Sequence, residues 1–276
     1  MFHRFPLASA MSQRFSRGVA TGLLGATLSW GVVQLQLPAH SAETSPARLM
    51  QVVEQLDRAA SAKDLTQLLQ VYSPNFEHED GLNRQAFSQA LEEFWNQYSA
   101  LSYSTEVVSS EATDAGWILE TVTTITGRRQ EQERDFQLEA IVKSRQTFVE
   151  EQLVRQEILS EESKVTTGSR PPQLSVSLPE QVKPGQSFSF DVVVLEPLED
   201  DLLLGGVLDE PIRANAYPNL SEVTIEPLVD PQTGTGPGGI FKVGQAPSRP
   251  QNRWVSAVVV RKDGITMVTR RLQVTN

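Results

Sequence analysis

The apolar residues of this chain change their period once, near residue 100, and do not change back. Before that point they recur three and four apart, the spacing of one face of a helix. After it they alternate, the spacing of one face of a strand. The first stripe is Leu49, Val52, Val53, Leu56, Ala59 and Ala60. Asp64 then caps a short helix with Leu65, Leu68, Leu69 and Tyr72 on one side, and Ser73-Pro74-Asn75 breaks it. A third helix starts from Asn83 and buries Phe87, Ala90, Leu91, Phe94, Trp95 and Tyr98. Strands are predicted at Leu101–Val108, Trp117–Thr126, Phe136–Phe148 and Leu153–Ser160, with turns at Ala112–Gly116, Gly127–Glu133 and Val149–Gln152. Residues 43–162 therefore read as an α+β domain, three helices packed on a curved antiparallel four-stranded sheet, a cone.

Residues 163–173 carry Gly168 and Pro171-Pro172 without periodicity and read as a linker. Residues 174–276 show no helical stripe. Alternation marks Leu174–Leu178 and Ser187–Leu195, where Phe188, Phe190, Val192 and Val194 face one way. Leu202–Leu208, Val223–Leu228 and Ile240–Val243 are further strands, and Asp263-Gly264 between Trp254–Arg261 and Ile265–Val274 signals a hairpin. This is the pattern of a separate immunoglobulin-like β-sandwich.

Residues 1–42 carry Arg4, Arg14 and Arg17 and no acid, then the uncharged run Val19–Leu37, then Pro38-Ala39-His40-Ser41-Ala42. A basic lead, an apolar core and small residues make an export signal. The protein is expected in a periplasm or a thylakoid-type lumen, with an uncleaved N-terminal anchor as the alternative. Removing the leader changes 24 basic against 34 acidic residues to 21 against 34, a net charge near −13. That balance speaks against nucleic acid and anionic lipid surfaces. With no cysteine, both halves must be held by their cores.

The run from Pro46 to about Ser160 resembles the nuclear-transport-factor-2-like superfamily, also called polyketide-cyclase or ketosteroid-isomerase-like. The likeness rests on Asp64-Leu65-Thr66-Gln67-Leu68-Leu69-Gln70-Val71-Tyr72-Ser73-Pro74-Asn75-Phe76, the helix with Phe87 and Trp95, and the strand ending in Arg155-Gln156-Glu157-Ile158. It implies a cone with a pocket. With the leader and the β-tail, the layout resembles exported envelope proteins of cyanobacteria.

In such a cone Tyr72, Phe76, Trp95, Tyr98 and Trp117 would line the mouth, as aromatics with a few polar groups line small-molecule sites; their alternative role is plain core. His78-Glu79-Asp80 mixes a histidine with carboxylates. Glu79 or Asp80 could act as a base with Tyr72 or Tyr98 as donor, but beside Gly81 the cluster reads more simply as a solvated turn. Three consecutive side chains do not converge on one metal. Glu199-Asp200-Asp201 and Asp209-Glu210 lack a calcium loop's spacing, and the glycine-rich Thr233–Gly239 is followed by no Lys-Ser/Thr. No catalytic set, metal or cofactor is expected. The sequence points to a non-catalytic exported protein that binds a small apolar ligand or an envelope partner. The alternatives are an assembly protein dimerising through its sheet and, third, a cone-fold isomerase, cyclase or dehydratase.

Overall fold

The computed structural model describes residues 45–197, 202–214, 217, 223–228 and 238–276. The leader, Glu199-Asp200-Asp201 and residues 233–237 of the glycine-rich run lie outside the described residues. Residues 42–276 form one compact unit.

Helix α1 (Pro46–Ser61) begins where Ser45 accepts the Arg48 N–H and a proline fills the first turn. Its buried stripe is Leu49, Val52, Val53, Ala59 and Ala60. Asp64 caps α2 (Leu65–Val71) by accepting the Gln67 N–H. The chain then runs into β1 (Tyr72–His78), turns, and enters α3 (Arg84–Gln97) through the Asn83 cap. The Arg84 guanidinium reaches back to the carbonyls of Leu69 (2.7 Å) and Tyr72 (3.1 Å), closing the C-terminal end of α2.

Four long strands follow: β2 (Ala100–Thr113), β3 (Gly116–Glu131), β4 (Arg134–Val149) and β5 (Gln152–Gly168). The remainder is β6 (Leu174–Ser177), β7 (Gln181–Val182), β8 (Ser187–Val194), β9 (Leu204–Pro211), β10 (Glu226–Pro227), β11 (Gly239–Gln245), β12 (Arg253–Arg261) and β13 (Gly264–Val274).

The expected α+β class, three helices on a four-stranded cone followed by a separate sandwich, is corrected here. The four strands belong to a ten-stranded sheet ordered β10-β9-β12-β13-β5-β4-β3-β2, with β1 paired to β5 and β7 to β13. The described residues are mostly strand. The joint is β5, about 56 Å long at the usual rise per residue. Its first part pairs with β1 and β4; its last part, Glu162–Gly168, pairs with β4 and also with β13. The stretch expected as the start of a linker is therefore ladder. The apolar pattern stops before the strand does because the outer ends, such as Ser109-Ser110-Glu111, are exposed. Their backbone groups still need partners, and the neighbouring strand supplies them.

Where the chain leaves the joint, Gly168 has φ +98°, and a Cβ there would lie 2.3 Å from the Asp263 carbonyl oxygen. Opposite it, a Cβ on Gly264 would meet Pro171 at 2.6 Å. The Asp-Gly signal thus marks a close crossing: Lys262-Asp263 make the turn and Gly264 is already strand.

Two cores sit on this sheet. One packs the helices on β2–β5 through Leu49, Val53, Leu68, Phe76, Trp95, Leu119, Phe148 and Leu153. The other packs the three-stranded sheet β11-β8-β6 on β12 and β13, with Phe190 and Val192 against Val255, Val259 and Leu272. Each such side chain contributes about 1.5–3 kcal/mol on burial. Among the described residues no helix is long and apolar enough to cross a membrane.

Candidate functional site

Between the helices and the long strands lies a cavity of about 320 Å³, at the small end of the roughly 300–1,000 Å³ range of ligand sites. Its apolar wall comes from Leu56, Leu68, Phe87, Leu91, Phe94 and Ile125. Polar groups break that wall at a few points.

Asp57 stands on the α1 stripe itself. It accepts the Thr105 N–H (2.7 Å) and hydroxyl (2.6 Å), and that hydroxyl lies 2.9 Å from Thr123. The Tyr103 hydroxyl takes the indole N–H of Trp95 at 3.0 Å; burial pushes its pKa up to about 12. Tyr72 is also raised by burial. On the sheet, Gln146 is 7 % exposed. The side-chain oxygens of Gln146 and Gln156 are buried and have no hydrogen-bond partner. Both residues line the cavity. An unmet buried polar group costs about 1–3 kcal/mol, so these two oxygens are a cost that the fold carries beside the cavity.

At one end the wall is completed from far along the chain, by Tyr217 and by Glu161 of β5. Behind them Arg271 of β13 is fully buried. Its guanidinium grips Asp80 (3.0 and 2.7 Å), Glu79 (3.0 Å) and Glu161 (3.3 Å). The Tyr217 hydroxyl donates to Asp80, Trp254 donates its indole N–H to Glu161 at 3.0 Å, and Asn252 donates to Glu79 at 3.2 Å. Burial opposes charge on Asp80, but the Arg271 and Tyr217 bonds outweigh it and hold its pKa below the ordinary value. Burial raises Glu79. The guanidinium is likewise opposed by burial and held charged by Asp80 and Glu161.

His78 lines the cavity beside this cluster. Its Nδ1 accepts the Asp80 N–H at 3.2 Å, which leaves the ring proton on Nε2. Burial pushes its pKa down to about 4, so the ring is neutral near pH 7. It stacks on Phe87 (6.0 Å between centroids) and meets Tyr217 edge-on (6.1 Å).

The residues singled out from sequence fall in several places. Tyr72 lines the cavity. Phe76, Trp95 and Tyr98 are buried in the core, and Trp117 packs against it. The reading of His78-Glu79-Asp80 as a solvated turn is corrected: the Asp80 side chain is 3 % exposed and paired with Arg271. Asp209 is bound by Arg253. Among the described residues no group of three His, Cys, Asp or Glu is placed to hold a metal.

Sequence reasoning missed Asp57, Tyr103, Gln146, Gln156, Glu161 and Tyr217. Two carried a signal. Asp57 follows Val53 by four residues, on the buried stripe, and Gln146 lies between Ser144 and Phe148 on the inward face of β4. A polar residue on an apolar stripe needs a partner.

Comparisons with known proteins add little chemistry. Residues 169–275 match the family described as Domain of unknown function (DUF8623). That match spans β6 to β13 and leaves the cavity's helices outside it. No curated protein matches the chain. Solved structures do match. One is a crystal structure from Novosphingobium aromaticivorans assigned as a scytalone dehydratase, at 14 % identity over 40 % of this chain and 79 % of that one, with a TM-score of 0.34. A likeness at that level carries no argument about activity.

Proposed function

We propose that this protein binds a small, largely apolar molecule in the cavity between its helices and its long strands, without acting on it. The observation that carries this reading is the cavity itself, a mainly aliphatic and aromatic wall broken by a few polar side chains, Asp57, His78, Gln146, Gln156 and Glu161 among them. Such placement fits the rule that ligand sites are apolar with a few convergent polar groups. Absence of catalysis is supported by Asp80, a candidate base, which Arg271 holds in an ion pair. A carboxylate whose pKa is held down by such a pair is a poor proton acceptor. The basic leader and its apolar run support export as the setting.

The test uses prodan, a neutral naphthalene dye of suitable size whose emission shifts to the blue in apolar surroundings. Saturable one-to-one uptake by the protein is expected, and Ala90→Trp, which puts an indole into the cavity, should abolish it. Absence of saturable uptake, or uptake indifferent to Ala90→Trp, would overturn the proposal.

A further inference from the structure

The cavity's charges are all of one sign. Its lining contains Asp57 and Glu161 and neither lysine nor arginine. His78, the one side chain there that could become a cation, is neutral near pH 7. Arg271 stands behind the wall, but its single positive charge is shared by Asp80, Glu79 and Glu161. The cluster therefore stays net negative.

Hydrogen-bonding groups of both kinds line the cavity, but its formal charges are carried by Asp57 and Glu161 alone. Glu161 uses Oε2 for both Trp254 and Arg271, and among the described residues its Oε1 takes no hydrogen bond. Asp57 is fixed by Thr105 through both oxygens. The rings of Tyr72, Phe87, Phe94 and Tyr103 also line the cavity, and the face of an aromatic ring attracts a cation through its quadrupole. The chain's net charge of −10 steers cations toward the molecule and anions away.

We infer that the ligand is an apolar amine, carrying its positive charge at neutral pH beside Asp57 and Glu161. This rests on the binding reading above and deepens it. A carboxylate of the same shape, such as a short fatty acid, meets two like charges and no donor able to neutralise it. A neutral alcohol supplies one donor and no charge.

The test is a matched series that differs in one group: 3-phenylpropan-1-amine, 3-phenylpropan-1-ol and 3-phenylpropanoate, each competing with prodan at pH 7 on the full chain. The amine should displace the dye at least about tenfold better than the alcohol, and the carboxylate should not compete. Asp57→Asn and Glu161→Gln keep shape and remove charge, so each should move the amine-to-alcohol ratio toward one. Dye uptake by each variant shows that it is folded, and either variant suffices. An alcohol as good as the amine, a competing carboxylate, or a ratio unmoved in both variants would overturn the amine assignment while leaving the pocket intact. Failure of prodan itself to bind would instead remove the binding reading, and this inference with it.

Discussion

Replacing Arg271 by leucine tests the junction between the two halves. The wild-type guanidinium makes hydrogen bonds to three carboxylates: two to Asp80, one to Glu79 and one to Glu161. Leucine fills part of the volume but leaves Asp80 buried without its cation. Breaking a buried pair on one side costs about 3–5 kcal/mol. For a unit of this size that lowers the melting temperature by about 6–20 °C. Adding Asp80→Asn should recover about 1–3 kcal/mol, because the two sites share one interaction. The loss also depends on pH, and its sign follows from Asp80. In the wild type the folded pKa of Asp80 is held below its ordinary 3.8. Its contribution is therefore present above that pH and disappears as pH falls through the folded value. Without Arg271, burial alone would raise the Asp80 pKa, so the variant is destabilised further as pH rises. The gap between wild type and Arg271→Leu must therefore widen from pH 4 to pH 7 in urea unfolding. A loss below about 1 kcal/mol with no dependence on pH would refute this account of the junction.

Two further outcomes follow from the same site. His78 has its pKa depressed to about 4 from 6.5. The unfolded chain then binds the proton first, so stability falls by roughly 3 kcal/mol as pH drops from 6.5 to 4; His78→Asn should remove that slope in urea titrations, and an unchanged slope would contradict the buried neutral ring. Gln146→Leu should leave the empty protein within about 1 kcal/mol of the wild type, since it deletes an unmet oxygen together with a long amide bond to Ser144 at 3.4 Å, while weakening amine competition against prodan. A stability loss above about 2 kcal/mol would contradict the unmet oxygen.

The helices were legible because their signals are local. The α1 stripe, the Asp64 cap and the Asn83 cap are read within a few residues, and Ser73-Pro74-Asn75 did end α2, although the same residues then form β1. Strand positions were legible and strand ends were not. The β3–β4 turn shows why: it is made by Gln132 and Glu133, both at positive φ, with no glycine or asparagine to announce it. The continuous sheet was not legible because of β5, whose polar second half gives no periodic signal yet pairs on both sides. The site was the least legible part, because its partners are distant. Asp80 and Arg271 are 191 positions apart; nothing near His78-Glu79-Asp80 shows that a guanidinium will bury it. Tyr217 reaches the same cluster from 137 positions away.

The central claim is that the cavity behind Gln146 and Gln156 holds a small molecule. The most direct measurement is native mass spectrometry of the protein isolated gently from its own host, compared with the Ala90→Trp variant prepared in the same way. The account predicts a discrete small-molecule adduct, an amine by fragmentation, on the wild type and none on the variant. A bare polypeptide mass for the wild type, together with no saturable uptake of prodan, would contradict it.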